Sequence, residues 1–197
     1  MTFADQPIGE FLDAVASGQV IPSGGAVAAV GGAMGASLCE MVCIHTLRKD
    51  GDDDVSAELA DVKDTLASRR TQLLELADED AKAVDEVQAA FESGDVARIQ
   101  TASKRSTEVP LEIAELSLDV VENAATVTAN GTPVAKPDAA AGALLAHAAL
   151  RASVTTVRAN LDMIDEDEFV TEAKRWTAET EAAAEAALDQ ALPDSDS

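Results

Sequence analysis

The feature that most constrains this chain is a run of uncharged residues at positions 20–39, in which small side chains recur at every fourth position. Residues at this spacing lie along one face of an α-helix. Because a nearly bare helix face lets another backbone approach closely, we expect a buried helix over 26–46 that packs against the same chain or a partner subunit. The run is long enough to span a bilayer, but its five glycines make it weakly hydrophobic, which favours a core helix. Two adjacent lines carry the small residues: Gly24, Ala28, Gly32 and Ala36, then Gly25, Ala29, Ala33 and Ser37.

The rest of the chain also has helical patterns, and no segment alternates like a strand. Pro110 interrupts one apolar stripe and predicts a kink or break near 107–109. Asp138 is well placed as the N-cap of a helix over 139–163. We therefore predict an all-α protein, a six-helix bundle with a buried glycine- and alanine-rich helix, forming one domain over 1–192 with a frayed tail at 193–197. The remaining helices are expected over 8–17, from a charged turn at 52–54 to about 93, from 95 onward, and from 165 to 192.

The charge balance limits the partners that this chain can bind. It carries 37 acidic and 14 basic residues, a formal net charge of -23, while 47% of its residues are hydrophobic. A chain this apolar can bury a core, which argues against disorder. A surface this negative repels phosphate backbones and anionic lipids, so we expect no nucleic acid and no membrane as partner. The acidic excess indicates a halophilic source, where salt screens the self-repulsion, and the N-terminus lacks a signal-peptide pattern, which predicts a cytoplasmic protein.

Metal and nucleotide sites are not supported by the sequence. Cys39 and Cys43 are four residues apart with no further thiols, and we interpret them as reduced, buried side chains. His45 and His147 are isolated histidines, so each is interpreted as structural and no metal site is predicted. The glycines do not follow a strand in the spacing of a nucleotide-binding loop.

Asp80 is the most unusual residue of the long third segment. It falls on the apolar stripe, one heptad after Leu73 and one before Val87. A carboxylate at a core-facing position is unfavourable unless something pairs with it. The pattern leaves two interpretations open: an ion pair between helices, or a carboxylate that points into a ligand cleft.

Several motifs in order along the chain resemble the cyclodeaminase/cyclohydrolase family of folate enzymes. They are Phe-Leu-Asp at 11–13, Pro-Ser-Gly-Gly-Ala-Val-Ala-Ala at 22–29 and Leu-Ala-Asp-Glu-Asp-Ala-Lys-Ala at 76–83. Glu-Val-Pro-Leu at 108–111, the segment 138–150 and Val-Arg-Ala-Asn-Leu at 157–161 continue the series. The resemblance implies an all-helical homodimer, which we expect to form on the glycine-rich helix, and a one-carbon-substituted tetrahydrofolate as substrate, with no permanently bound cofactor. The implied reaction is either hydrolysis of a 5,10-methenyl bridge or ammonia-releasing ring closure of a 5-formimino group.

The resemblance also places candidate catalytic residues. Asp80 and Asp138 lie in its two aspartate segments. The methenyl carbon belongs to a cationic amidinium, so a nearby carboxylate both attracts it and orients or deprotonates the attacking water. We expect the two carboxylates, from separate helices, to converge on one cleft and to divide the acid and base roles between them.

Candidate substrate-binding residues lie in three places. Ser23, Gly24 and Gly25 offer backbone N–H groups at a helix start. Asn160 can donate to and accept from a pterin edge, although a buried asparagine that satisfies a helix end is the alternative. Arg48 and Lys49 are a basic pair that could receive the glutamate tail of a folate, or could instead complement a helix C-terminus.

The ordered resemblance, together with the absence of a formiminotransferase domain from these 197 residues, leads us to expect a stand-alone methenyltetrahydrofolate cyclohydrolase. The formiminotetrahydrofolate cyclodeaminase reaction is the alternative within the family. A non-catalytic helical dimer that binds folate or acts as a scaffold is the alternative outside it.

Overall fold

The computed structural model describes residues 2–48 and 53–192, and in these ranges the protein consists of six α-helices and two short 3₁₀ turns, without a β-strand. The prediction of an all-α, six-helix protein is confirmed. The tail predicted at 193–197 lies outside the described residues. The helices are α1 Ile8–Val15, α2 Gly24–Leu47, α3 Asp53–Ser93, α4 Val96–Asn130, α5 Lys136–Asn160 and α6 Asp167–Ala191.

Helix α2 forms where the glycine- and alanine-rich run predicts it. Ser23, in an extended conformation, is its N-cap residue, and Arg48 is its C-cap. One side of α2 is buried against α3, α4 and α5. The opposite side is exposed at Val27 and Met34. The helix is therefore half-buried at the surface of the bundle.

The small residues of α2 bring its backbone close to that of α5. A β carbon on Gly35 would lie 2.6 Å from the Gly142 carbonyl oxygen, and one on Gly32 would lie 3.5 Å from the Ala149 Cβ. Positions on α5 increase as positions on α2 decrease, so the two helices run antiparallel. Gly32 also faces Ser117 and Leu73 of its own chain, so it packs within the bundle. The homodimer that we expect on the glycine-rich helix stays a prediction.

Helix α4 runs without a break through Pro110. We predicted a kink or a break near 107–109; the break is wrong, because α4 is continuous there, and the kink stays a prediction. Proline removes one intrahelical hydrogen bond, but Pro110 is buried and α4 packs against α3, α5 and α6 along its length. These tertiary contacts hold the helix together across the proline.

Helix α5 begins earlier than predicted. Its first residue is Lys136, and Asp138 lies in its first turn and is not the N-cap. Pro137 is tolerated there because a first-turn residue needs no intrahelical N–H bond. The carboxylate of Asp138 is exposed at this end of the bundle.

Two helical segments, Gly24–Leu47 and Lys136–Met163, are long and apolar enough to cross a membrane by length and composition alone. Half of the most apolar window of each is buried inside the protein. The core helices of soluble bundles have the same property, so this observation gives little support to a membrane span.

The two cysteines are free and buried, as predicted. Burial raises the pKa of Cys39 to about 12 and the pKa of Cys43 to about 11. Both thiols are therefore protonated at neutral pH and serve as small packing groups.

Candidate active site

A cavity of about 290 Å³ lies at the end of the bundle where α2 begins and α5 ends. The last third of α3, the first third of α4 and the turn after α5 complete its wall. Its apolar lining comes mainly from valines 20, 84 and 87 and from Met163. The polar residues that line it are Ser23, Asp80, Gln88, Ser106, Thr156 and Asn160.

Asp80 is held at the base of this cavity by the N-terminus of α2. The Ser23 hydroxyl and the Ala26 backbone N–H both donate to Asp80 Oδ2, the latter at 2.9 Å. Ala26 lies in the first turn of α2, where backbone N–H groups have no acceptor within the helix. Oδ1 accepts no hydrogen bond from a described residue, so this oxygen is available to a ligand or a water molecule.

Gly25 makes this arrangement sterically possible. A β carbon at position 25 would lie 2.0 Å from Asp80 Oδ1 and 2.5 Å from its Cγ. Any side chain there would displace the carboxylate. The neighbouring Gly24 has open space around the corresponding position, so only the second glycine of the pair is required by this contact.

Burial raises the pKa of Asp80 above its ordinary value, and the hydrogen bonds from Ser23 and Ala26 oppose this shift. Only 4% of the residue is exposed. Within the described residues no cation contributes to this pKa. An ion pair, one of the two interpretations of the sequence, is therefore not found, and the geometry is that of a carboxylate in a ligand cleft. A carboxyl group with a raised pKa suits proton transfer near neutral pH.

Arg69 and Arg70, by contrast, do form ion pairs between helices. Arg69 Nε lies 2.8 Å from Asp119 Oδ2, and Arg70 Nε lies 3.0 Å from Glu40 Oε2. These cations, which also interrupt the apolar stripe of α3, are thus used to join α3 to α4 and to α2.

Asn160 forms the opposite wall of the cavity. Its Nδ2 donates to the Ser106 carbonyl oxygen at 2.6 Å. The reverse orientation would set two oxygens against each other, so this contact fixes which end of the amide faces Ser106. The Oδ1 atom, for which no donor is found among the described residues, can accept a hydrogen bond from a ligand.

The turn that follows Asn160 is fastened to α4 by Gln100. Gln100 Nε2 donates to the Met163 carbonyl oxygen at 3.0 Å, and its Oε1 accepts from the Asp165 N–H at 2.9 Å. Because Met163 lines the cavity, Gln100 helps to set the position of that wall. Sequence reasoning assigned no role to Gln100, Ser106 or Met163, and only Ser106 had a local signal, a polar residue on an apolar stripe four positions before a proline.

Five of the predicted site residues meet in the cavity: Ser23, Gly24, Gly25, Asp80 and Asn160. Asp138 does not. It lies 22 residues before Asn160 on α5, which is about 33 Å at 1.5 Å per residue. The expected convergence of Asp80 and Asp138 within one chain is therefore wrong.

The predicted basic pair is also distant from the cavity. Arg48 is exposed at the C-terminal end of α2, about 37 Å from Ser23 at 1.5 Å per residue. Its C-cap position agrees with the alternative interpretation, a cation that complements the helix end. Lys49 lies outside the described residues.

A larger cavity, of about 630 Å³, lies on the outer surface of α3 and α4. Its lining contains Arg98, Lys104 and Arg105 together with Glu86 and Glu108. The charges there are largely paired, since Arg105 contacts Glu79 and Glu112 and Lys104 contacts Glu166. It contains no buried carboxyl group, so the smaller cavity is the candidate active site. No group of three or more His, Cys, Asp or Glu side chains within 2–48 and 53–192 is arranged to hold a metal ion.

Comparison with known proteins gives consistent matches. A family model described as formiminotransferase-cyclodeaminase matches residues 7–191. A methenyltetrahydrofolate cyclohydrolase from Methylorubrum extorquens is 33% identical over 177 residues, which cover 85% of this chain and 85% of that protein. The crystal structure of formiminotetrahydrofolate cyclodeaminase from Thermotoga maritima matches with a TM-score of 0.92 and 29% identity, over 95% of this chain and 94% of that one.

A longer relative is the formimidoyltransferase-cyclodeaminase of Gallus gallus, which is 26% identical over 176 residues. The match covers 85% of this chain but 32% of the chicken protein. The present chain thus corresponds to about one third of that relative.

Proposed function

Because the chain belongs to the formiminotransferase-cyclodeaminase family, we propose that it is a methenyltetrahydrofolate cyclohydrolase, which converts 5,10-methenyltetrahydrofolate and water into 10-formyltetrahydrofolate. The family matches confirm the resemblance found in the sequence. The relative with 33% identity carries this name. The observation that most supports the proposal is the buried Asp80 in a cavity of about 290 Å³, where its Oδ1 accepts no hydrogen bond from a described residue.

Asp80 provides the chemistry in this proposal. As a carboxylate it attracts the cationic amidinium carbon and accepts a proton from water through Oδ1, while the water oxygen bonds to that carbon. The resulting carboxylic acid then gives its proton to N5 as the bond between N5 and the carbon breaks. The hydroxyl on the carbon loses its proton to solvent and becomes the formyl oxygen, so one proton is released in each turnover.

A single carboxyl group can perform both proton transfers, accepting a proton as the carboxylate and donating it as the acid, and burial favours the acid form by raising its pKa above the ordinary value. This replaces the division of roles between two carboxylates that we expected, since Asp138 is at the other end of α5. The hydrogen bonds from Ser23 and Ala26 hold Oδ2, and Oδ1, which accepts none from a described residue, remains available for the reaction.

The cavity holds the pterin end of the substrate in this proposal. Asn160 Oδ1 accepts from an N–H group of the ring, and the backbone N–H groups of Gly24 and Gly25, which also line the cavity, donate to a ligand carbonyl. The apolar side chains of Val84, Val87 and Met163 cover the ring faces. The remainder of the folate lies outside the cavity, and no permanently bound cofactor is required.

A second candidate reaction is that of formiminotetrahydrofolate cyclodeaminase. The Thermotoga maritima structure with this name covers 95% of the chain with a TM-score of 0.92. Both reactions pass through a tetrahedral carbon and need a proton on a departing nitrogen, so the same carboxyl group serves either one.

One spectrophotometric experiment separates the candidates. The purified chain in a buffer of high salt is given 5,10-methenyltetrahydrofolate, and the decrease in the methenyl absorbance is compared with that in buffer alone. In parallel the chain is given 5-formiminotetrahydrofolate, and ammonia is measured. An accelerated loss of methenyl absorbance without ammonia release supports the cyclohydrolase; ammonia release supports the cyclodeaminase. Absence of both would contradict an enzymatic role and would favour a non-catalytic folate-binding dimer.

The assembly we propose is a homodimer formed through the exposed side of α2. Val27 and Met34 on α2 and Leu144 and Leu145 on α5 are large apolar side chains exposed to solvent. Burying them against a second copy would remove apolar area from water. The glycines at 32 and 35 are not part of this surface, because they pack within the chain.

We further propose a cytoplasmic protein of a halophilic organism. The support for a halophilic source is the net charge of -23 in a chain with 14 basic residues. Such a surface keeps the protein soluble where concentrated salt screens the repulsion among its carboxylates.

A further inference from the structure

Pro110 lies in the interior of α4, and its position relative to Ser106 has a direct effect on hydrogen bonding. In a regular helix the N–H of residue 110 would donate to the carbonyl oxygen of residue 106. Proline has no N–H, and its ring also pushes that carbonyl away from the helix axis. The Ser106 carbonyl oxygen is thereby turned toward a partner outside α4.

That partner is Asn160. Its Nδ2 donates to the Ser106 carbonyl oxygen at 2.6 Å, across 54 positions of sequence. Both Ser106 and Asn160 line the candidate active site. Ser106 is buried, and its hydroxyl is turned to the Ser103 carbonyl oxygen at 2.9 Å, so its backbone carbonyl makes the contact with Asn160.

We infer that Pro110 is a positioning residue: by leaving the Ser106 carbonyl oxygen free of its helical bond, it fixes the Asn160 amide so that Oδ1 faces the cavity as an acceptor. The inference rests on the proposed function for its ligand, a pterin ring that presents an N–H group. Pro110 itself does not line the cavity and acts only through the two residues between.

Pro110→Ala tests the inference because alanine restores the N–H without adding bulk. The new N–H competes with Asn160 for the Ser106 carbonyl oxygen, and the amide becomes free to rotate. We expect KM for 5,10-methenyltetrahydrofolate and Kd for tetrahydrofolate to rise about fivefold, the factor that corresponds to one net hydrogen bond, with kcat nearly unchanged. Pro137→Ala is the matched control, since Pro137 lies in the first turn of α5, where a helix needs no N–H bond.

A double-mutant cycle shows whether the effect passes through Asn160. We expect Pro110→Ala in combination with Asn160→Ala to have the KM of Asn160→Ala alone, because the amide that proline positions is then absent. An effect of Pro110→Ala that persists in full in the Asn160→Ala background would overturn the inference, as would an unchanged KM in the single variant.

A nuclear magnetic resonance measurement keeps the inference testable if the wild-type protein proves inactive. The side-chain amide signal of Asn160, assigned by its loss in Asn160→Asp, reports its hydrogen bond to Ser106 without any ligand. In Pro110→Ala we expect this signal to move and the new backbone N–H at position 110 to be protected from exchange. An inactive wild-type protein would refute the cyclohydrolase proposal alone; an unmoved Asn160 signal would overturn the role of Pro110.

Discussion

The carboxylate of Asp80 lies against the α carbon of Gly25 so closely that a β carbon at position 25 would be 2.0 Å from Oδ1. The contact joins the last third of α3 to the first turn of α2. It brings the carboxylate within reach of the Ala26 N–H at 2.9 Å. Gly25 is therefore required for the position of the Asp80 carboxylate on α3. The turn before α2 does not itself require a glycine at this position.

Gly25→Ala should displace the Asp80 carboxylate. We expect a loss of about 1–3 kcal/mol of stability, typical of an extra carbon in a packed site, together with a lower kcat/KM. Gly24→Ala is the matched control for stability, because its β carbon would have nothing within 4 Å and alanine is the better helix former. Thermal denaturation of both variants measures the difference. Equal Tm values for the two would contradict the contact.

Asp80→Asn should lower kcat by about 10²–10⁴-fold, the range for loss of a general acid–base group. Asp138→Asn should leave kcat within experimental error, since Asp138 is exposed at the other end of α5. Steady-state rates with 5,10-methenyltetrahydrofolate give both values. Comparable losses in the two variants would show that a carboxylate from the far end of α5 reaches the cavity in the assembled protein.

The same Asp80 variant should change how stability depends on pH. Burial raises the pKa of Asp80, so the folded protein binds this proton more tightly than the unfolded chain, and stability from this group is lost as pH rises through the folded pKa. Asparagine does not ionise. The difference in Tm between the two proteins, Asp80→Asn minus wild type, should therefore be larger at neutral pH than at acid pH. A difference that does not change with pH would argue against a raised pKa of Asp80.

Ser23→Ala should move the pH dependence of the reaction. The Ser23 hydroxyl donates to Asp80 and lowers its pKa, so its removal raises that pKa further. Because the carboxylate form accepts the proton of water, the acid limb of the kcat/KM profile should shift to higher pH, and Ser23→Thr should restore it. Ser37→Ala, which removes a hydroxyl bonded to the Ala33 carbonyl within α2, is the matched control. A profile unchanged in Ser23→Ala would contradict this role.

Met34→Glu tests the proposed dimer. Met34 is 44% exposed on the free side of α2, so the single chain should fold with glutamate there. Burying that charge against a second copy is unfavourable, and we expect the dimer to dissociate at least about tenfold more readily in sedimentation experiments. Val134→Glu, at a side chain that is 89% exposed on the loop before α5, is the control. An unaltered dimer in Met34→Glu would place the interface elsewhere.

Salt should stabilise this protein over a wide range of concentration. With a net charge of -23, repulsion among carboxylates destabilises the compact state until counter-ions screen it, and the screening length falls from about 10 Å at 0.1 M to about 3 Å at 1 M salt. We expect Tm to increase steadily as KCl is raised through this range. A Tm independent of KCl would remove the support for a halophilic source.

The sequence predicted those parts of the site that depend on periodicity and on local turns. Asp80 stood out because its register on α3 points inward, and Ser23–Gly25 because a tight turn leads into an uncharged helix. The expected convergence of Asp80 and Asp138 on one cleft was wrong, because the order of motifs along the chain does not show which end of an antiparallel helix lies near a given cavity. The contacts of Gln100 with the turn at 163–165 join residues more than sixty positions apart, and no local pattern encodes them.

The contact between Gly35 and Gly142 sets the separation of α2 and α5 at their crossing, and this separation affects the cavity although the crossing is far from it. A β carbon at either position would meet the backbone of the other helix, at 2.6 Å for Gly35 and 2.8 Å for Gly142. Ser23 lies about 18 Å along α2 from this crossing, and Asn160 about 27 Å along α5, at 1.5 Å per residue. An added methyl group at position 35 or 142 would thus push the two helices apart at mid-bundle, move the ends that carry Ser23 and Asn160 away from each other, and widen the mouth of the cavity. Such a substitution offers a way to alter the range of substrates while every side chain that lines the cavity stays unchanged.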